Sequence, residues 1–329
     1  MFTLQQLEQA AELVHAAMPA TPQYAWPLLG NRTGCEVWVK HENHTPTGAF
    51  KMRGGLVYLD DYHRRQPNGP GLISATRGNH GQSLAFAAKR LGVPVTIVIP
   101  QGNSREKNAA MRALGAELVE AGRDFDAARE AAGRMASERG LEFALSFHPL
   151  LVKGVATYAL ELFRAVADLD TVYVPIGMGS GIVGLIKARD LLGLKTKIVG
   201  VISAEAPAFA LSFEAGTVIT TPTADTFADG MACRMPPSDA LDIVRAGADR
   251  IVVVGEEEIA EAMRAYFTDT HNMAEGAGAA GLAALMQERQ RMKGKRVGVI
   301  LSGGNIDRPV YGGIIAGHSV AQARAVAAA

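Results

Sequence analysis

Lys51 lies in the segment TPTGAFKMRGG, residues 45–55, where its side chain could do covalent chemistry. A lysine amine attacks carbonyl groups only when it is deprotonated, and burial or a nearby cation lowers its pKa enough for this. Phe50 offers a flat apolar wall beside it, and the nearby glycines let the backbone approach a planar ligand. The segment therefore predicts an amine that condenses with an aldehyde cofactor. In isolation it could equally be a turn before a helix, with Lys51 solvated.

A second segment, SATRGNHGQS (residues 74–83), follows an apolar run and begins a helical pattern. It would present hydroxyl, guanidinium, amide and backbone N–H donors at a helix N-terminus, which suits a carboxylate. The donors come from Thr76, Arg77, Gly78, Asn79 and His80. A helix-capping loop with a glycine turn is the alternative, although a guanidinium at a helix start favours an anion.

Two further segments place small residues where a strand ends. In VPIGMGSGIVG (residues 174–184), Gly177, Gly179 and Gly181 permit a concave backbone loop whose N–H groups bind phosphate. A dinucleotide fingerprint is the rival interpretation, but the next strand ends without the acidic residue that it requires. In ILSGGNID (residues 300–307), Ser302 could hydrogen-bond a heterocyclic nitrogen or simply cap its own turn.

Together, the four segments resemble the pyridoxal-phosphate enzymes of the tryptophan-synthase-β type, or fold type II. The resemblance is strongest to the threonine/serine dehydratase and serine racemase branch, and it covers roughly residues 20–310. KHENHTPTGAFKMRGG is similar to the lysine motif, TRGNHGQ to the substrate-carboxylate loop, GMGSG to the phosphate loop and LSGGNID to the pyridine-nitrogen loop. The form TRGNHGQS also resembles dehydratases linked to hydroxyectoine use.

The resemblance implies a role for each matching position. Lys51 would bind pyridoxal 5'-phosphate as a Schiff base and then remove the Cα proton of the substrate, while Ser302 would face the pyridine nitrogen. The other implied cofactor contacts are Phe50, Asn79, Gly177, Met178, Gly179, Ser180, Gly181 and Glu275, of which 177–181 would hold the phosphate. The implied substrate contacts, around the α-carboxylate, are Thr76, Arg77, Gly78, Asn79 and His80.

Ser302 favours elimination among the reactions of this cofactor. A hydroxyl is a neutral hydrogen-bond partner, whereas a carboxylate would keep the pyridine nitrogen protonated. The ring is then a weaker electron sink, so the carbanion that transamination and racemisation need would not persist. We therefore expect an ammonia-lyase that dehydrates a small β-hydroxy amino acid resembling threonine or serine, giving a 2-oxo acid and ammonia.

Arg77 departs from the family pattern, because serine racemases have their second catalytic serine at this position. Racemisation is therefore not expected. Arg77 could bind an extra anionic or polar group of a larger substrate, such as 3-hydroxyaspartate or a diamino acid derived from hydroxyectoine, or it could form a salt bridge within the protein. The branch's divalent-cation site needs acidic residues just after the strand that ends at residue 203; here the chain has Glu205 but Leu211 further on, so that metal site is not expected. β-Replacement and a silent cofactor-binding protein remain alternatives.

The elements that must position these residues alternate between short apolar runs and amphipathic stretches, which predicts an α/β fold. The predicted strands are 36–42, 71–76, 95–100, 116–122, 171–177, 197–203, 250–255 and 296–304, and the clearest helices are Leu4–Met18, Gly81–Leu91, Ser104–Leu114, Asp124–Arg139 and Glu256–Thr270. A chain of 329 residues favours two domains. We expect a large discontinuous domain, 1–69 with 144–329, and a small one, 70–143, each with a mostly parallel twisted sheet flanked by helices and with the cofactor in the cleft between them.

The amino-acid composition argues against nucleic acid and membranes as binding partners. Lysine plus arginine equals aspartate plus glutamate, 33 each, so the net charge attracts neither nucleic acid nor an anionic membrane surface. No window is long and apolar enough for a membrane span, and Glu8 and Glu12 interrupt any signal-like apolar run. Two cysteines without ligand spacing suit a reducing, cytoplasmic location. The expected partner is a small amino-acid substrate, and the resemblance implies a homodimer.

Overall fold

The structure is a computed structural model that describes residues 1–328, and these form ten strands and fifteen α-helices. The strands are β1 (Gln23–Ala25), β2 (Glu36–His41), β3 (Leu72–Ala75), β4 (Val95–Ile99), β5 (Glu117–Glu120), β6 (Glu142–Phe143), β7 (Thr171–Pro175), β8 (Lys197–Ser203), β9 (Arg250–Val254) and β10 (Arg296–Leu301).

The helices surround these strands on both faces. In chain order they are α1 (Leu4–His15), α2 (Pro27–Thr33), α3 (Lys51–Arg65), α4 (Asn79–Leu91), α5 (Arg105–Ala113), α6 (Phe125–Arg139), α7 (Pro149–Ala165), α8 (Ser180–Leu191), α9 (Ala208–Ala215), α10 (Ser238–Gly247), α11 (Glu256–Thr270), α12 (Gly276–Gln287), α13 (Arg289–Met292), α14 (Arg308–Ile315) and α15 (Val320–Ala328). Short 3-10 turns cover Glu42–His44 and Asp229–Met231.

The strands build two separate sheets. One has the order β1-β2-β10-β7-β8-β9, parallel except for β1, and the other has the order β5-β4-β3-β6, parallel throughout. Central strands such as β4 and β8 are almost continuously apolar and buried, because helices cover both faces of a parallel sheet. The predicted α/β fold is confirmed.

The division of the chain follows the sheets with one qualification. All four strands of the second sheet lie between residues 70 and 143, and those of the first lie outside that range. Helix α3, however, packs its apolar side chains, among them Met52, Leu59 and Tyr62, with α4 in the core of the second sheet. The limits 1–69 with 144–329 and 70–143 stay a prediction.

A buried ionic cluster, Lys40, Glu42, Arg53 and Glu161, ties α3 to β2 and α7. Arg53 donates to Glu42 at 2.7 Å and to Glu161 at 2.6 Å, and Lys40 Nζ donates to Glu161 at 2.6 Å. Burial opposes ionisation of Glu161, but the charges and hydrogen bonds of Arg53 and Lys40 outweigh it and lower its pKa to about 2. Two cations and two carboxylates therefore balance one another inside the protein.

The predicted elements differ from the structure mainly in their limits. The Thr3–Gln6 capping box is present, but α1 ends at His15 rather than at Met18, shortly before Pro19, which cannot continue a helix. The strands β1 and β6 were not predicted, because three and two residues are too short to show a period. All eight predicted strands are present, most of them shorter by one to three residues.

Candidate active site

One cavity lies between the carboxyl ends of β3 and β7, which belong to different sheets. Its volume, including the part open to solvent, is about 780 Å³. Ligands bind at this end of the strands in open α/β sheets. All fourteen predicted site residues line it: Phe50, Lys51, Thr76, Arg77, Gly78, Asn79, His80, Gly177, Met178, Gly179, Ser180, Gly181, Glu275 and Ser302. The structure thus brings five distant segments to one place.

Lys51 is the first residue of α3 and extends into this cavity. Its Nζ donates to Ser180 Oγ at 3.1 Å and lies 5.1 Å from the centroid of the Phe50 ring. Lys51 forms no ion pair with any residue from 1 to 328. Burial lowers the pKa of Lys51 to about 8, so about a tenth of the amine is uncharged at pH 7, far more than for an exposed lysine.

The glycines after β7 shape a phosphate loop, residues 177–181, at the N-terminus of α8. Gly179 caps the helix at φ 94°, which disfavours other residues. A Cβ atom on residue 177 would lie 2.2 Å from the carbonyl oxygen of Gly230, so only glycine fits there. The free N–H groups and the dipole of a helix start suit a phosphate.

The loop of residues 76–80 joins β3 to α4 and is held by Thr76. Thr76 Oγ1 accepts hydrogen bonds from Gly78 N at 2.9 Å and Gly81 N at 3.2 Å. The N–H of Gly78 is therefore already used inside the loop, and the hydroxyl hydrogen of Thr76 stays free to donate. Helix α4 begins at Asn79 with its side chain at the cavity.

His80 and Arg77 carry polar atoms without protein partners. His80 is 6% exposed, and its buried Nε2 has no hydrogen-bond partner within residues 1–328. Burial, and then the charge of Lys51, lower the pKa of His80 to about 3, so the ring is neutral at physiological pH. The buried Nε of Arg77 also lacks a partner, and Arg77 forms no ion pair with a described residue. The salt-bridge alternative for Arg77 is therefore absent from the described chain.

Ser302 follows β10 and is 4% exposed. Its carbonyl oxygen accepts from Phe50 N at 3.0 Å, and the neighbouring pair Ala49 and Gly303 forms a bridge, so the loop after β10 lies directly against the start of α3. The hydroxyl of Ser302 and the amine of Lys51 consequently face the same cavity.

Glu275 lies in an ionic network that the sequence did not predict. Lys107, from α5, contacts Asp229 at 2.7 Å and Glu275 at 3.0 Å, and Glu275 accepts from Asn79 Nδ2 at 2.6 Å. Asp229 begins the short 3-10 turn Asp229–Met231. Lys107 belongs to an ordinary amphipathic helix pattern, and no sequence signal distinguishes it.

Cys233 is another cavity residue that the sequence did not identify. Its Sγ lies 3.3 Å from Met178 Sδ, and burial raises the pKa of the thiol to about 11, so it is not a nucleophile at neutral pH. Within residues 1–328 no cluster of three or more His, Cys, Asp or Glu side chains could hold a metal. No helix in that range has the length and apolarity to cross a membrane.

The donor set fits pyridoxal phosphate. An amine with no counter-ion faces the cavity beside a glycine loop that a Cβ would fill, at a helix start suited to a phosphate. A neutral hydroxyl, Ser302, and an amide, Asn79, line the same space for the ring atoms. Lys51 would hold the aldehyde carbon, residues 177–181 the phosphate, and Ser302 and Asn79 the ring.

The comparisons with known proteins agree with this chemistry. A model of the family described as pyridoxal-phosphate dependent enzyme matches residues 16–303. The L-threonine ammonia-lyase of Geobacter sulfurreducens is 40% identical over 85% of this chain and 69% of its own length. The L-threo-3-hydroxyaspartate ammonia-lyase of Saccharomyces cerevisiae is 33% identical over 90% of this chain and 91% of its own. The crystal structure of a threonine deaminase from T.th. superposes with a TM-score of 0.85, 32% identity, and coverage of 93% and 99%.

The chain therefore belongs to the pyridoxal-phosphate-dependent enzyme family. The predicted family, α/β fold and cofactor are confirmed, and the dinucleotide interpretation of residues 174–184 is wrong. The roles of the individual side chains stay predictions.

Proposed function

We propose that the chain is a pyridoxal-phosphate-dependent ammonia-lyase that removes water from a small β-hydroxy amino acid such as threonine or serine. The products are a 2-oxo acid and ammonia. The observation that carries this proposal is the setting of Lys51, an amine with a lowered pKa and no counter-ion, 3.1 Å from a hydroxyl at the start of α8.

Bound pyridoxal phosphate supplies an aldehyde that condenses with amines and a ring that withdraws electrons from the substrate Cα. Lys51 would bind the cofactor and then accept the Cα proton, because burial lowers the pKa of its amine to about 8. The Thr76 hydroxyl would donate to the substrate carboxylate, beside the neutral ring of His80, and Phe50 keeps water from one face of the site.

Ser302 directs the chemistry toward elimination. A hydroxyl shares a hydrogen bond with a ring nitrogen without protonating it, so negative charge at Cα is stabilised only weakly. The β-hydroxyl would take up a proton and leave as water, and its departure would remove that charge as it forms. Relatives that are 40% and 33% identical are named ammonia-lyases for threonine and for 3-hydroxyaspartate, which supports the same reaction on a hydroxy amino acid here.

The test is the release of 2-oxo acid from a panel of hydroxy amino acids, with L-threonine and L-serine first. We expect turnover that requires added pyridoxal phosphate. Release of no 2-oxo acid from any member, together with condensation of serine with an added thiol, would instead establish β-replacement.

A second candidate substrate class follows from Arg77. Its guanidinium lines the cavity without a carboxylate partner in the described chain, and it also lines the adjoining open cleft. A hydroxy amino acid with a second anionic group, such as 3-hydroxyaspartate, would satisfy that charge. Arg77→Ala should then reduce kcat/KM for 3-hydroxyaspartate by about tenfold or more and leave serine turnover within about twofold. An equal fall for both substrates would contradict this recognition.

The organisation of the protein is part of the proposal. The two sheets support domains of 1–69 with 144–329 and of 70–143, and limited proteolysis near residues 70 and 143 would test these limits. A homodimer rests on the family resemblance alone and is tested by sedimentation of the holoenzyme. A cytoplasmic location is supported by two buried cysteines that form no disulfide, and cell fractionation would test it.

A further inference from the structure

Lys107 occupies an unusual position for a lysine. It lies on α5, beside the second sheet, and its side chain is only 4% exposed. Its Nζ donates to both Asp229 oxygens, at 2.8 and 2.7 Å, and to Glu275 Oε2 at 3.0 Å. Asp229 and Glu275 line the active-site cavity, whereas Lys107 lies behind them. The Lys107 ammonium therefore pairs with two carboxylates that line the cavity, without lining the cavity itself.

The network continues from Glu275 into the cavity. Asn79 Nδ2 donates to Glu275 Oε1 at 2.6 Å, and Asn79 Oδ1 accepts from Asn305 Nδ2 at 2.9 Å. Asn305 is held in turn by the Thr47 carbonyl oxygen, which accepts from it at 2.7 Å. Both ends of the Asn79 amide are thereby assigned, because a flipped amide would oppose its oxygen to the Glu275 carboxylate. The second N–H of Asn79 Nδ2 remains free for a ligand.

Lys107 also contacts the loop that precedes Asn79. Gly78 has φ 151°, and a Cβ atom on it would lie 2.3 Å from Lys107 Cδ and 3.0 Å from Cγ. The aliphatic stem of Lys107 therefore packs against the backbone of residue 78, while its ammonium acts on residue 79 through Glu275. Two separate contacts of one side chain converge on the same turn.

We infer that Lys107 is a positioning residue that, through Glu275, fixes the Asn79 amide so that it presents an N–H donor to the ring of the bound cofactor. The inference rests on the proposed role of Asn79 as a ring contact. Hydrogen bonds to an ionised carboxylate are about twice as strong as neutral ones. Because the Lys107 charge favours the ionised form of Glu275, it strengthens the hydrogen bond from Asn79 to Glu275.

The electrostatics of the network support this role. Burial raises the pKa of Glu275, Lys107 opposes that rise, and Asp229 adds to it. Burial would discharge Lys107, but the two carboxylates outweigh it and raise its pKa. Without the ammonium, the buried carboxylate of Glu275 would face the half-buried carboxylate of Asp229, which favours uptake of a proton by Glu275. The charge-assisted bond to Asn79 would then be weakened.

The experiment measures the dissociation constant of pyridoxal phosphate from the apoprotein, by absorbance titration, for Lys107→Met, Asn79→Ala and the double variant. Methionine keeps the packing against Gly78 and removes only the ammonium. The matched control is Lys40→Met, which removes an equally buried lysine paired with Glu161 in the ionic cluster that ties α3 to β2 and α7, away from the cavity.

We expect Lys107→Met to weaken cofactor binding by about tenfold or more, and Lys40→Met to change it by less than about twofold. The double variant should bind no more weakly than Asn79→Ala, because both changes remove the same donor. Binding of Lys107→Met within about twofold of the wild type, or effects that multiply in the double variant, would overturn the inference.

Folding provides a second check. If Lys107→Met does not fold, Lys107→Gln replaces it, because glutamine keeps hydrogen-bond donors and removes only the charge. The dissociation constants are then compared for Lys107→Gln, Asn79→Ala and their double variant. The affinity of either variant should weaken relative to the wild type as the pH falls, because loss of the Lys107 charge raises the pKa of Glu275 and favours its protonation. If the ratio of the variant's affinity to the wild-type affinity does not change with pH, the inference is also contradicted. Failure of the wild type itself to bind the cofactor would instead refute the proposed function.

Discussion

Two lysines have opposite electrostatic surroundings: Lys51, which lines the cavity, and Lys107, which lies behind two carboxylates of that cavity. Lys51 Nζ has a hydroxyl, Ser180 Oγ, as its hydrogen-bond partner and no carboxylate, and burial lowers its pKa to about 8. Lys107 Nζ contacts two carboxylates, Asp229 and Glu275, and its pKa is raised. Both amines lose water to a similar extent, so the number of neighbouring carboxylates decides which of them is reactive.

This difference separates a reactive amine from a supporting one. A free amine near neutral pH can attack an aldehyde, whereas a paired ammonium can only bind and orient anions. Burial alone therefore does not identify a catalytic lysine. Four measurements would test this difference between the two lysines.

Replacement of the reactive amine should have the largest effect. Lys51→Ala should lower ammonia-lyase activity by at least about 10³-fold, because both the attachment of the cofactor and the proton acceptor are lost. The visible absorbance of the attached cofactor should disappear as well. Lys195→Ala, at an exposed position, serves as the control and should behave as the wild type. Full activity of Lys51→Ala would show that Lys51 is not the reactive amine.

Stability should respond in the opposite order. Lys107→Met should lower the free energy of unfolding of the apoprotein by about 3–5 kcal/mol, since it leaves the buried Glu275 and the half-buried Asp229 without a cation. Lys51→Met should leave it unchanged or raise it, because Lys51 has no charge partner to lose. Urea unfolding of the two variants measures both values, and equal losses would show that the two lysines are equivalent.

The pH dependence of stability should distinguish the lysines further. The pKa of Lys51 is about 8 in the folded protein and 10.5 in the unfolded chain, so its cost to stability is full below about 8. That cost is relieved as the pH rises from about 8 toward 10.5, because only the unfolded chain then binds the proton. The wild type should therefore gain stability relative to Lys51→Met across this range.

Lys107 provides the internal reference for that measurement. Its folded pKa lies above 10.5, so its contribution is fully present below 10.5 and is lost only at higher pH. The difference between the wild type and Lys107→Met should thus stay constant where the difference for Lys51→Met changes. Parallel curves for the two variants would contradict the assigned pKa directions.

The smallest effect is expected at the N-terminus of α5, the helix that carries Lys107. The Asp307 carboxylate, next to α14, accepts from Ser104 Oγ at 2.6 Å and from Glu106 N at 3.2 Å. Asp307→Ala should cost about 1 kcal/mol of unfolding free energy, as the loss of a helix cap does. Asp60→Ala removes an exposed i,i+4 pair and should cost less than about 0.5 kcal/mol. A loss at Asp307 as large as that for Lys107→Met would show that the cap, rather than Lys107, holds α5.

Much of the site could be predicted because its residues lie in local patterns. Lys51, the loop of residues 76–80, the phosphate loop and Ser302 each follow a strand or begin a helix, and parallel strands place their carboxyl ends at one edge of a sheet. Glycines such as Gly179 were visible for the same reason, since a positive φ is a local requirement.

Lys107 and Asp229 could not be found in this way. They are 122 residues apart, and Lys107 is 168 residues from Glu275. An ion pair between such distant positions leaves no period or spacing in the chain, so Lys107 could not be told from any solvated lysine of an amphipathic helix.

The amino-acid sequence by itself determined the α/β alternation, the family, the cofactor and fourteen of the residues that line the cavity, because each of these depends on short segments and their order. The tertiary structure alone decided which charged groups have partners: Lys107 acquires two carboxylates, Lys51 none, and Arg77 none within the described chain. The physical reason is that a pKa depends on burial and on charges within a few ångströms, and both arise only when distant segments pack together.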